Sequence, residues 1–200
     1  MEFSVTTFMD VICWVTLLLV WLVGALYNFF KTRTVKRITN STIIWFVGVV
    51  FIWFIGKCIP QSYWIEFTYS TEWIKVIGAV ILILFTGLAI WSRLVLGRMW
   101  TADVAIKENH KLYTKGPYSL TRHPIYTGIL GMLLGSVLMN GFGLGVILYF
   151  ISMLVLIKYK TSDEERLLIE TFGEEYLNFK RCTPQLFPTI KSLRKMNLFI

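Results

Sequence analysis

Charge is scarce in this chain, and the scarcity decides its class. Only 16% of the 200 residues are charged against 56% hydrophobic, and the mean hydropathy is +0.62. A water-soluble domain of this length would leave far too much apolar surface in water, which excludes the soluble classes in favour of a polytopic membrane protein. Cysteine is nearly as rare. Cys13 and Cys58 fall in apolar runs and Cys182 in a polar tail, and no pair has metal or redox spacing. That excludes a disulfide framework or a metal site as the organising device. Histidine occurs twice, His110 and His123, and there is no internal repeat or low-complexity segment.

Five apolar stretches span or nearly span a bilayer: residues 11–30, 43–59, 73–96, 124–139 and 143–157. The last two are short, reaching only ~24 Å at ~1.5 Å per residue against a hydrocarbon core of ~30 Å. They read as a tight helical hairpin turned at Asn140-Gly141-Phe142. Charge then orients the chain. Glu2 and Asp10 precede the first run, which with its acidic lead and no A-x-A site is not read as a cleaved signal. Lys31, Arg33, Lys36 and Arg37 follow it with no acid among them. Bases also dominate 93–122 and the segment after the fifth run, so the N-terminus is expected outside, with 31–42, 93–122 and 158–200 cytoplasmic. The net charge of +8 is then mostly topology plus attraction to anionic lipid heads. Scattered juxtamembrane bases without a recognition fold exclude nucleic acid as a partner.

The expected fold is all-α. Residues 1–92 form a three-span scaffold, and residues 93–200 hold every candidate for chemistry. Asn40-Ser41-Thr42 reads as the cap that opens the second helix. Gly116-Pro117 breaks any helix in the polar segment 98–122. Leu168, Phe172 and Tyr176, four apart, predict a helix leaving the membrane, interrupted at Gly173 and restarted at Glu174; Pro184 and Pro188 end it. Gly128, Gly131 and Gly135 are spaced to let the fourth and fifth spans approach closely. The run Gly141-x-Gly143-x-Gly145 has no strand before it and is not a phosphate cradle.

Polar residues collected at a bilayer edge are a functional-site hypothesis. Here they are Gly116-Pro117-Tyr118 and Arg122-His123-Pro124-Ile125-Tyr126-Thr127-Gly128, at the mouth of the fourth run. Together with Leu96-Gly97-Arg98-Met99-Trp100, Glu164-Glu165-x-x-Leu168, Phe172-Gly173-Glu174-Glu175-Tyr176, Arg181 and Pro184, they resemble the isoprenylcysteine carboxyl methyltransferase family. That family is related to the phospholipid N-methyltransferases. The resemblance covers about residues 95–188, in order and with matching spacing. It implies S-adenosylmethionine as methyl donor, held in a cytoplasm-facing pocket by Asp103, His110, Lys111, Leu112, Tyr113, Tyr118, His123, Pro124, Ile125 and Tyr126. It implies Glu164 and Lys160 as the residues facing a lipophilic acceptor. Two positions depart from the family: Lys160 stands where the eukaryotic enzymes have Arg, and Asp103 where they have Gln. Lysine lacks the planar two-point grip of arginine on a carboxylate.

The residue chemistry is compatible with this. Tyrosine faces suit an adenine or a sulfonium at ~0.5–2 kcal/mol each, histidines hydrogen-bond in either direction, and a helix opening at Pro124 offers its positive end to a carboxylate. Methyl transfer asks the protein mainly to hold two substrates in line. A carboxylate acceptor needs no base, whereas an amine or hydroxyl would need Glu164 or a histidine. Blander roles stay open beside these. Arg122 reads as an interface anchor, Tyr118 and Tyr126 as an aromatic belt, and Glu165 as either solvated charge or part of the site; Glu174 and Glu175 read as solvated. The expected protein is thus a multi-pass membrane methyltransferase, with the shortness of the chain pointing to a prokaryotic cell membrane. The alternatives are a phospholipid amine N-methyltransferase, an NADPH-dependent sterol-type reductase relative, and a non-enzymatic docking protein. Acceptor identity and oligomeric state are not legible.

Overall fold

A computed structural model describes residues 5–31, 34–64, 71–141, 143–189 and 192. The elements in chain order are α1 (Val5–Lys31), β1 (Thr34–Ile38), α2 (Thr39–Cys58), α3 (Glu72–Leu96), β2 (Val104–Lys107), α4 (Pro117–Leu120), α5 (Pro124–Asn140), α6 (Leu144–Phe172) and α7 (Glu174–Cys182). Among the described residues, three helices, α1, α3 and α6, are long and apolar enough to cross a membrane by length and composition, while α5 and the apolar part of α2 are shorter.

Every expected apolar run is helical, with boundaries that differ in informative ways. α1 starts at Val5, so Asp10, expected ahead of the first span, lies within it. Its carboxylate accepts a hydrogen bond from the Ser136 hydroxyl of α5 at 2.5 Å, and the Trp14 indole donates to the same hydroxyl at 3.2 Å. A polar group answered by a neighbouring helix can stand inside an apolar bundle. α6 unites the fifth run and the helix expected to leave the membrane into one rod of 29 residues. At Gly173 the chain takes a φ of +53°, a conformation glycine adopts without cost, and α7 starts afresh at Glu174. The hairpin turn at Asn140 and Gly141 is as expected; Phe142 lies outside the described residues.

Two expectations are corrected. Asn40 does not open α2, which starts at Thr39 directly after Ile38 in extended conformation and has no side-chain cap bond. Ile38 is extended because it closes β1. That strand pairs antiparallel with β2, Ile38 opposite Val104 and Arg37 opposite Ala105. This two-stranded ribbon is the departure from an all-helical chain, and it was illegible because its partners lie some 70 residues apart. The second correction concerns the glycines of α5. Gly128, Gly131 and Gly135 face α3, not α6. A Cβ on Gly128 would stand 2.7 Å from the Cβ of Ala89, and one on Gly135 would stand 2.7 Å from the backbone nitrogen of Leu82. The α3–α5 pair is accordingly the most extensive packing among the described residues, centred on Leu82, Ala89, Met132 and Met139 with Leu17 of α1.

The first helix also anchors the segment that leads to the site. Asn28 of α1 is buried and its amide donates to the carbonyls of Gly97 (3.1 Å) and Trp100 (2.9 Å). Arg93, at the end of α3, lies 4.2 Å over the Trp100 ring, which stacks on Trp21 of α1. The chain leaves α3 clamped on both sides.

Candidate active site

The entrance to α5 is built by backbone pairing with the segment after α7. The N–H of Arg122 donates to the carbonyl of Pro184 at 2.8 Å and that of His123 to Gln185 at 3.1 Å. Thr127, one turn into α5, donates its hydroxyl to the carbonyl of Leu186 at 2.6 Å. His123 precedes a proline and is held out of helical conformation, so its N–H is free to pair sideways. These bonds strap residues 184–186 along 122–127.

Beneath the strap sits an ionic node. Arg122 directs both Nε and Nη2 onto one oxygen of Glu165, at 2.9 and 2.7 Å, and gives Nη1 to the Thr183 carbonyl. Lys180 pairs with the other carboxylate oxygen at 2.8 Å, and the Gln185 amide donates at 3.0 Å to the oxygen that Arg122 holds. The side chains of Arg122 and Glu165 are only 9% and 6% exposed. Arg122 is therefore not an interface anchor, nor Glu165 a solvated charge: each satisfies the other while largely buried, where a lone ion would be costly. Arg181, part of the resemblance, stays exposed and hydrogen-bonds Asn178.

The neighbouring carboxylate has a different setting. Glu164 accepts a hydrogen bond from the Tyr126 hydroxyl at 2.6 Å, and its second oxygen lies 3.3 Å from Nδ1 of His123. Nε2 of the same ring stands 3.4 Å from Glu165. His123 is thus wedged between two consecutive acids of α6. Burial alone would lower its pKa, but the hydrogen bonds and charges of Glu164 and Glu165 reverse that and raise it above the ordinary histidine value. Glu164 keeps 24% of its side chain exposed, which makes it the reachable end of the cluster. Tyr118, buried in α4, hydrogen-bonds the carbonyl of Ser92 weakly at 3.4 Å, and its phenol is pushed well above its ordinary pKa by burial and then by the charge of Glu164.

The remaining predicted residues divide. Tyr113 stands 6.5 Å from Tyr118, ring to ring. His110 packs at 5.9 Å from Phe172, and burial followed by the charge of Lys107 lowers its pKa. Pro124 and Ile125 are buried at the start of α5. Lys160 is buried one turn before Glu164 and donates to the carbonyl of Ala102 at 2.8 Å, tying α6 to the segment before β2. Asp103 pairs with Arg37 of β1 at 2.6 Å instead of turning to the carboxylate cluster. Lys111, exposed, and Leu112 lie on the connection between β2 and α4. Sequence reasoning missed Lys180 and Gln185, which carried no local signal, and gave no role to Thr127, quoted with the motif; its hydroxyl lies 3.1 Å from that of Thr121 and reaches the Leu186 carbonyl.

The cluster lies inside the part of the chain that matches a known family. The family described as phospholipid methyltransferase matches residues 73–175, more than half of the chain. The chain belongs to that family. The matched region runs from α3 into the start of α7 and contains His123, Tyr126, Lys160, Glu164 and Glu165. Among individual relatives, the chain is similar to a protein-S-isoprenylcysteine O-methyltransferase of Xenopus laevis, 29% identical over 144 residues, or 66% of this chain and 50% of that protein. The Homo sapiens protein of the same name is 28% identical, with 66% and 51% covered. A cobalt-zinc-cadmium resistance protein CzcN of Cupriavidus metallidurans is 33% identical over 115 residues, covering 56% of this chain and 52% of that one. The chain spans about half the length of these curated relatives.

Proposed function

We propose that this family member is an integral membrane methyltransferase that uses S-adenosylmethionine to methylate a lipophilic acceptor. The observation that carries the reading is the Tyr126–Glu164–His123 cluster, in which a partly accessible carboxylate is fixed by a phenol and an imidazole where α5 begins. In this reading α1, α2, α3, α5 and α6 all cross the bilayer, with the N-terminus outside and the cluster facing the cytoplasm. Their charge distribution supports it, and a lipid-borne acceptor can then reach the same cluster as a water-soluble donor.

The residues fit the donor by their chemistry. His110 with Phe172, and Tyr113 beside Tyr118, supply aromatic faces for an adenine or a sulfonium. Glu164 supplies a carboxylate for amino or hydroxyl groups. When bound, the donor supplies an electrophilic methyl group on a cationic sulfur. The protein's part is to hold and orient. Glu164 fixes the acceptor's head or takes its proton, Tyr126 and His123 hold that carboxylate in one rotamer, and Lys160 adds positive charge one turn away. Lys160 also secures Ala102 and hence the segment carrying Asp103. The names of the relatives favour the carboxylate of a prenylcysteine-like molecule, which Lys160 would offset electrostatically. A phospholipid amine is the second reading, favoured by Glu164 itself, since a carboxylate attracts an ammonium and repels another carboxylate.

The test is purification in mild detergent, followed by transfer of a labelled methyl group from S-adenosylmethionine to a panel of lipophilic acids, phenols and amines. Saturable donor binding and label in one acceptor class are expected, both diminished in Glu164→Gln. Binding of NADPH in place of S-adenosylmethionine would sink the proposal.

A further inference from the structure

The side of α6 away from this cluster carries two adjoining clefts. One, of about 510 Å³, is polar and bordered by Arg122, Glu165, Arg166, Glu170 and Lys180. The other, of about 710 Å³, is apolar, with Leu154, Val155 and Tyr159 of α6 facing Leu186 and Phe187 of the strap. Lys158, Ser162 and Gln185 belong to both walls. Glu164, His123, Tyr126 and Lys160 belong to neither.

The charges of the polar cleft are unevenly answered. Glu165 is neutralised by Arg122 and Lys180, and Glu170 by Lys36 at 2.6 Å and Arg166 at 3.4 Å. Lys158 donates to the neutral amide oxygen of Gln185, and no carboxylate among the described residues pairs with it. Four cations against two acids leave the polar cleft positive. Asp163 on the wall of the apolar cleft makes it four against three over the pair, which still leaves a surplus, with Lys158 at the junction. Lys158 is also the first charge of α6, after an apolar stretch running from Leu144 to Ile157. It therefore stands where the helix passes from hydrocarbon to head groups. Beside it, Val155 and Phe187 are 62% and 64% exposed, apolar surface that at bilayer depth faces acyl chains.

We propose that the paired clefts seat one anionic phospholipid of the surrounding leaflet, its phosphate at Lys158 and the rim of the polar cleft, an acyl chain between Val155 and Phe187. The occupant is set by charge complementarity and by the continuity of a positive hollow with an apolar one at bilayer depth. The proposal rests on the membrane setting of α6 but not on methyl transfer. Bound lipid would brace the strap that carries Gln185 and Leu186, and through it the entrance to α5.

The test uses the full chain, delipidated in detergent and supplied with phosphatidylglycerol or phosphatidylcholine, with retained lipid read by native mass spectrometry at moderate ionic strength. Phosphatidylglycerol should be retained selectively and raise the thermal midpoint. Lys158→Gln should lower its affinity about fivefold, the loss of one basic contact at a membrane surface. Lys158→Arg should keep the selectivity, and Lys115→Gln, an exposed lysine elsewhere, should leave it intact. Equal retention of both lipids, displacement by water-soluble glycerol 3-phosphate, or an unchanged affinity in Lys158→Gln would each overturn the proposal. Donor binding is measured on the same samples. Its failure would leave the lipid result standing, and its success would not rescue it.

Discussion

Arg122 holds Glu165 by two nitrogens on one oxygen, at 2.9 and 2.7 Å, with both side chains almost wholly withdrawn from solvent. An exposed pair of this kind contributes little. Here, removing one partner leaves a largely buried ion unpaired at the wall of a polar cleft, and the strap over α5 loses its fastening at Thr183.

Arg122→Met should therefore destabilise the protein by roughly 3–5 kcal/mol, less whatever Lys180 recovers by moving closer to Glu165. The measurement is the thermal unfolding midpoint in detergent. Lys180→Met, removing the more exposed partner of the same acid, should cost clearly less. Equal midpoints for Arg122→Met and the unmodified protein would mean that Glu165 is not held as described.

Consecutive glutamates of α6 should separate stability from activity. Glu165→Gln leaves Arg122 and Lys180 without their counter-charge and should lower the midpoint, at a cost of about 1.5–3 kcal/mol. Glu164→Gln should leave the midpoint nearly unchanged, because Tyr126 can still donate to the remaining oxygen. Methyl transfer should nonetheless fall by about 10²-fold or more where Glu164 takes a proton, as an amine or hydroxyl acceptor requires. Assays of both variants on the same preparations read the contrast, and a reversal of the two effects would exchange the roles assigned to these residues.

The chain's two histidines should titrate on opposite sides of their ordinary value. His123 is raised because Glu164 and Glu165 outweigh its burial, and His110 is lowered by burial and by Lys107. A raised value means that the stability His123 contributes is fully present below ~6.5, the unfolded-state value, and is lost as pH rises through the folded one. For His110 the sign reverses: its contribution is full above ~6.5 and is lost as pH falls through the folded value. With only two ring signals, carbon-13 labelling of histidine gives an assignable spectrum. Glu164→Gln should bring the higher midpoint down and leave the lower one in place. Two coincident midpoints would contradict the wedge geometry.

Sequence and structure agree where the signal is local. The length of apolar runs placed the spanning helices and four-residue spacing the segment around Leu168 and Phe172, and the break at Gly173 follows from a residue suited to φ of +53°. The cluster was half legible: His123, Tyr126 and Glu164 were picked out by residue chemistry and resemblance, and they do meet. What could not be read were partners set by tertiary approach. Arg37 pairs with Asp103, Lys36 with Glu170, and Gln185 with Glu165; none of these is spaced by a helical or strand period. The glycines of α5 were recognised as a packing face but assigned to the wrong neighbour. Hairpin connectivity suggested α6, whereas the complementary small residues, Gly78 and Ala89, lie on α3.

The close approach of α5 to α3 leaves no room for a side chain at single glycines. A methyl group on Gly135 would meet the backbone of Leu82 at 2.7 Å and the carbonyl oxygen of Gly78 at 2.8 Å. Neither is the end of a flexible side chain, so the helices must move apart. Gly135→Ala should cost about 1–3 kcal/mol, the usual penalty of overpacking. Gly87, also within α3, has nothing within 4 Å of the corresponding position. There alanine should be neutral or stabilising by up to ~1 kcal/mol, the difference in helix propensity. Thermal midpoints of the two variants, prepared side by side, check the sign of each. If Gly87→Ala were the damaging one and Gly135→Ala harmless, α5 would have to meet α3 on another face.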